Sequence, residues 1–160
     1  MKKIKIGITG AGSFAQSFIP LFKAHPNVTS VALAEVLPER RHDVADEFQI
    51  EDTYESHEAL CSSDVDAVAI ITQRHMHGAQ AVEALNKGKH VYSAVPAAIT
   101  VEEIEELHGC LGGLAFERAT GVPGGDSGKD RGAVSGWCGV AFAVARPSRH
   151  ECQGSARDPR

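Results

Sequence analysis

Residues 5–15 read KIGITGAGSFA, and the parsing of that run decides how the rest of the chain is read. Lys5 to Thr9, with Ile4 before them, form a short apolar stretch that reads as a buried strand. It runs directly into Gly10-Ala11-Gly12. From Ser13 to His25, the residues Phe14, Phe18, Leu21, Phe22 and His25 then recur at helical spacing. Strand, glycine turn and helix meet in the pattern G-x-G-x-x-A, closed by Ala15. Gly10 permits a tight turn, Gly12 has no Cβ to keep a pyrophosphate off the backbone, and Ala15 lets helix and sheet approach closely. The amides that open a helix have no intrahelical partner, so Ser13 and Phe14 join Gly10 and Gly12 as candidate phosphate contacts. Pro20 removes a backbone donor, so the spacing predicts a bent helix that ends before Pro26.

Working outward, Val31–Val36 reads as a second strand and 38–48 as a helix with Pro38 in its first turn, where a missing N–H is harmless. Thr53-Tyr54 reads as a very short strand, and Ser56 as the cap of a brief helix through Cys61. Val65–Thr72 is a continuous β-branched strand. Helix 77–87 is stopped by Gly88, His90–Ser93 is a further strand, and Thr100 with Glu103 forms a capping box for VEEIEEL. Strands alternating with helices predict an α/β fold, a doubly wound parallel sheet covered on both faces.

The second strand ends at Glu35, 25 residues beyond Gly10. A carboxylate there can accept from the diol of an adenosine ribose and repels a 2′-phosphate, which favours NAD. Arg40 and Arg41 follow closely and keep NADP open. His75-Met76-His77 has the spacing of half a metal site but no evident third ligand, so no metal is expected. No Ser-His-Asp or Cys-His order suggests a nucleophile. The four cysteines make no CxxC pair, which fits reduced thiols and a cytoplasmic setting. The net charge of -5 gives no reason to expect nucleic acid, and no apolar run approaches the ~20 residues of a membrane span. The oligomeric state is not legible.

Several motifs in order carry a resemblance: KIGITGAGSFAQSFIPLF, the Ala34-Glu35 strand end, DVDAVAIIT followed by QRHMH, and ALNKGKHVYSAVP. Together they resemble the cofactor half of the Gfo/Idh/MocA oxidoreductases over about residues 3–108. The resemblance implies hydride exchange between a nicotinamide dinucleotide and a sugar- or polyol-like alcohol. The family's T-P-x-x-x-H pattern appears as Thr72-Gln73-Arg74-His75-Met76-His77, which places Thr72, Gln73 and His77 on the nicotinamide side. Its Glu-Lys-Pro appears as Ala94-Val95-Pro96. Valine has no proton to give, so no catalytic residue is assigned, and this chain alone is expected to be impaired in turnover. A non-enzymatic NAD(H)-binding sensor or scaffold is the alternative.

The composition changes near His108. Residues 1–108 carry net charge -7 and five glycines, whereas 109–160 carry +2 and eleven, with Arg outnumbering Lys six to one. We therefore expect a dinucleotide-binding domain over 1–108. A Gly/Arg-rich tail, disordered or frame-shifted, would follow over 109–160 in place of the family's substrate domain. A small-molecule substrate is expected only where such a domain is present. GVAFAVA (139–145) is the one strand-like segment in the tail.

Overall fold

The computed structural model describes residues 3–110 and, beyond them, the backbone of two short strands at 117–118 and 143–145. The chain order is β1 (Ile4–Thr9), α1 (Ser13–Gln16), α2 (Ile19–Ala24), β2 (Val28–Ala34), α3 (Pro38–Phe48), β3 (Thr53–Tyr54) and α4 (His57–Cys61). It continues with β4 (Ala67–Ile70), a 3₁₀ turn (Arg74–Met76), α5 (His77–Asn86), β5 (His90–Ser93), α6 (Val101–Cys110), β6 (Glu117–Arg118) and β7 (Ala143–Ala145). The sheet order is β3-β2-β1-β4-β5-β7-β6. The five strands up to β5 are all parallel, as the alternation with helices requires. Within 139–145, the strand expected in the tail, residues 143–145 lie antiparallel beside β5. Of the rest of the expected tail, Gly109 and Cys110 close α6 and residues 117–118 pair antiparallel with β7, while 111–116, 119–142 and 146–160 lie outside the described residues.

Period two in the strands builds two cores. Ala67, Ala69 and Ile71 join Ile6, Ile8, Val31 and Leu33 under α1, α2 and α3, where Ala15, Ile19 and Val44 cover them. Val68 and Ile70 face the other way, with Ala32, Ala34 and Val91, against Leu60 of α4, Leu85 of α5 and Leu107 of α6. β4 and the later residues of β1 and β2 are thus buried on both sides, which is why they read as apolar runs.

Local differences from the expected elements have local reasons. The helix expected over 13–25 is two pieces, and Pro20 sits in the first turn of the second, where its missing donor costs nothing. β2 begins at Val28 because Ile4 pairs with it, while Thr29 and Ser30 are exposed and carry no apolar signal. α6 runs on to Cys110, with Leu107 and Cys110 both buried three residues apart.

At the edge where β1 and β4 begin, Lys5 holds the elements together. Its Nζ lies 2.8 Å from both Asp52 and Asp64, and its backbone N–H donates to Asp66 Oδ2 at 2.9 Å. The two carboxylates raise the Lys5 ammonium above its ordinary range, and Lys5 in turn holds the Asp64 carboxyl below its own.

Candidate functional site

At the opposite, carboxyl end of the sheet, β1 and β4 are neighbours whose chains leave toward opposite faces. Their loops part there and open a cleft of about 620 Å³. In open parallel sheets, ligands bind at such a point. Ten of the residues expected from sequence line this one cleft: Gly10, Gly12, Ser13, Phe14, Ala15, Glu35, Arg40, Thr72, Gln73 and His77; Arg41 is not in its lining.

The two glycines do different things. Gly10 has φ +97°, and a Cβ there would meet the Ile71 carbonyl oxygen at 2.5 Å. Only glycine allows that turn to close on β4. Gly12 has φ -68° as the N-cap of α1, and a Cβ there would meet nothing within 4 Å. Its missing side chain therefore leaves open space over the loop. Ala15 is fully buried against the sheet. α1 is only four residues long, so the attraction of this loop for an anion rests on its free first-turn amides more than on a helix dipole.

Glu35 stands at the lip of the cleft, only 7% exposed. Oε2 accepts from the Ala11 amide at 3.0 Å and Oε1 from the Leu37 amide at 3.1 Å. The carboxylate thus belongs to both the glycine turn and the β2 end. Arg40 Nη1 lies 3.8 Å from Oε2, and Arg41 donates to the Glu35 carbonyl at 2.6 Å. A further carboxylate lone pair can still accept from a ligand hydroxyl.

His77 sits beneath the cleft wall, 2% exposed. Nδ1 lies 2.8 Å from the Pro96 carbonyl and Nε2 3.1 Å from the Thr72 carbonyl. Both partners are acceptors only, so a neutral ring donates to one of them, and the two contacts set His77 between the loops after β4 and β5. His75, its partner in the HxH spacing, is exposed on the 3₁₀ turn. Val95 stands on the cleft, 44% exposed, between Ala94 and a cis-linked Pro96.

Three polar residues of the cleft floor were not anticipated from sequence: Thr9, His57 and Gln80, all buried. His57 Nε2 faces the Gln80 carbonyl at 2.9 Å, which can only accept, so that nitrogen carries the hydrogen. Nδ1 then accepts from Thr9 Oγ1 at 2.9 Å. Burial lowers the His57 pKa, against the Gln80 carbonyl and the Glu83 carboxylate, which raise it. Cys61 Sγ lies 3.3 Å from Nε2, and burial pushes its thiol up to about 12, far from nucleophilic. These residues are isolated polar positions in apolar elements, and their partners lie far away in sequence. Only the fold brings them together.

No helix among the described residues is long and apolar enough to cross a membrane. A glycosyl hydrolase family 109 protein of Porphyromonas gingivalis is 32% identical over 117 residues, 67% of this chain and 25% of that protein. A 4-carboxy-2-hydroxymuconate-6-semialdehyde dehydrogenase of Sphingobium is 32% identical over 105 residues, covering 65% of this chain and 33% of its own length. Among solved structures, a scyllo-inositol dehydrogenase from Lactobacillus casei, with bound NAD(H) and scyllo-inositol, superposes with a TM-score of 0.62 at 30% identity. That match covers 67% of this chain and 32% of the dehydrogenase. A 3-ketoreductase from Actinomadura kijaniata, in complex with NADP and TDP-benzene, gives 0.61 at 27% identity, over 66% of this chain and 33% of its own. The chain therefore spans between a quarter and a third of the length of these relatives. Residues 4–111 match the GFO_IDH_MocA model, described as an oxidoreductase family with an NAD-binding Rossmann fold; with that match on the parallel sheet and glycine turn above, the chain belongs to the Gfo/Idh/MocA oxidoreductases.

Proposed function

We propose that this chain is the cofactor-binding half of an oxidoreductase that exchanges hydride between a nicotinamide dinucleotide and a sugar- or polyol-like alcohol. The observation that carries the reading is the pair of glycines: Gly10 closed onto Ile71, and Gly12 open to the cleft. A pyrophosphate fits over Gly12 and receives the amides of Gly12, Ser13 and Phe14. Glu35 takes the adenosine ribose diol. Its carboxylate favours NAD, while Arg40 beside it is the residue that a 2′-phosphate would face. Thr72, Gln73 and His77 form the wall on the nicotinamide side, His77 from beneath. When bound, the dinucleotide supplies the hydride acceptor, and the protein orients it.

The substrate class follows from the polyol named for the inositol dehydrogenase. Where the family places lysine, Val95 offers no proton, so this chain gives no acid or base to a substrate hydroxyl at that position. That same residue supports a second reading, a dinucleotide-binding module that senses NAD(H) without turning over. Calorimetric titration of the full chain with NAD+, NADH and NADP+, followed by a polyol panel monitored for NADH, tests both. NAD+ binding with no turnover is the expected result. Steady turnover refutes the impairment, and absence of any dinucleotide binding refutes the whole reading.

A further inference from the structure

Gln80 has no part in the glycine motif, yet it is buried at the cleft floor. It lies on α5 three residues after His77, so the two share a helix face. Gln80 Oε1 accepts from Thr72 Oγ1 at 2.6 Å, and His77 Nε2 meets the Thr72 carbonyl at 3.1 Å. The hydroxyl and the carbonyl of Thr72 are thus both held by α5. Thr72 is in turn part of the surface on which the Gly10 turn closes. A Cβ on Gly10 would sit 3.2 Å from Thr72 Cγ2 and 2.5 Å from the Ile71 carbonyl. On the other flank, Thr9 donates to His57, and His57 donates to the backbone carbonyl of Gln80. One residue therefore ties the threonines on both sides of Gly10, Thr72 through its side chain and Thr9 through its carbonyl and His57.

We propose that Gln80 is a positioning residue for the dinucleotide, acting through Thr72 to fix the Gly10-Ala11-Gly12 turn in the form that receives the pyrophosphate. This rests on the dinucleotide reading above. The Thr72 hydroxyl has three staggered positions, and the bond to Gln80 selects the one that lays its methyl on Gly10. Without Gln80 the hydroxyl turns elsewhere, and the wall behind the turn is no longer a single shape.

The test uses the full chain and NAD+ titrated by calorimetry, with Gln80→Leu, Thr72→Val and the double variant. Each single change is expected to weaken binding about three- to tenfold, the worth of one hydrogen bond, and the double variant no further than either. In the cofactor-free chain, the Gly10 and Gly12 amide resonances should move alike in both single variants, a signature that mere loss of stability does not give. If Gln80→Leu fails to fold, Thr72→Val alone must show both effects. Wild-type affinity in Gln80→Leu, or additive losses in the double variant, overturns the proposal. A wild-type chain that binds no NAD+ overturns the dinucleotide reading beneath it instead.

Discussion

Replacing each motif glycine by alanine should separate folding from binding. At Gly10 the added methyl enters a backbone with φ +97°, a region that costs an L-residue roughly 1–2 kcal/mol, and meets the Ile71 carbonyl oxygen at 2.5 Å. That carbonyl belongs to backbone pinned by the Ile71 amide bond to the Thr9 carbonyl at 3.0 Å, so relief must come from moving the turn or β4. Overpacking of this kind adds about 1–3 kcal/mol. The sum is about 2–5 kcal/mol, which in a domain near 100 residues lowers Tm by roughly 10 °C or more. Gly12 differs: its φ of -68° suits alanine and nothing lies within 4 Å. Alanine there restricts the unfolded chain, which stabilises, and is a poorer N-cap than glycine, which destabilises; the two offset to within about 1 kcal/mol. On the function proposed above, the methyl then stands where the pyrophosphate approaches, so NAD+ affinity should fall at least about tenfold, or 1.4 kcal/mol. Thermal unfolding and NAD+ titration of both variants read the two effects. The reasoning fails if Gly12→Ala unfolds as early as Gly10→Ala, or if it binds NAD+ like the wild type.

Three further outcomes are expected. Burial holds the His57 pKa below its ordinary 6.5, so the unfolded chain takes up a proton that the folded chain refuses. Stability from this group is complete above pH 6.5 and declines as pH falls toward the lowered folded value; urea unfolding at several pH values should show the decline, weaker in His57→Gln. Cys61, with its thiol at about 12 and 1% exposed, should resist iodoacetamide at pH 8 in the native protein and react once urea unfolds it; mass spectrometry of the labelled peptide decides. Lys5→Met should lower Tm at pH 7, because Asp52 and Asp64 lose their shared cation. The wild-type advantage should shrink below pH 3.8, as Asp64 protonates and the pairing that lowered its pKa is lost; an advantage independent of pH argues against the ion pairs as its source.

The sheet and the glycine turn were legible because their signals are local. β1 and β4 are largely apolar runs, and Gly10, Gly12 and Ala15 sit where strand passes to helix. Ser56 and Thr100 announced their helices by residue type, and both caps form, with Ser56 Oγ accepting from Ala59 and Thr100 Oγ1 from Glu103. Glu35 could be placed at a strand end by counting. His77 lies at the cleft, but its burial under Thr72 and Pro96 depends on a loop 19 residues away. The link from Thr9 to His57 spans 48 residues and that from His57 to Gln80 spans 23, and no spacing rule connects such positions. Pro20 shows a subtler limit. Its cost was evident, but a clean break that moves proline into a new first turn avoids that cost better than the bend that was expected.

The charge staple at Lys5 has a consequence for how this fold tolerates change. Registration of β1 against β4 is secured there by ion pairs and by the reciprocal bonds between Lys5 and Asp66, at the rim farthest from the cleft. Ligand-facing loops are thereby relieved of aligning the strands that carry them. Lineages sharing this scaffold can rewrite residues such as Val95 or Arg40 at one rim while the other preserves alignment, and novelty in chemistry need not be preceded by novelty in architecture.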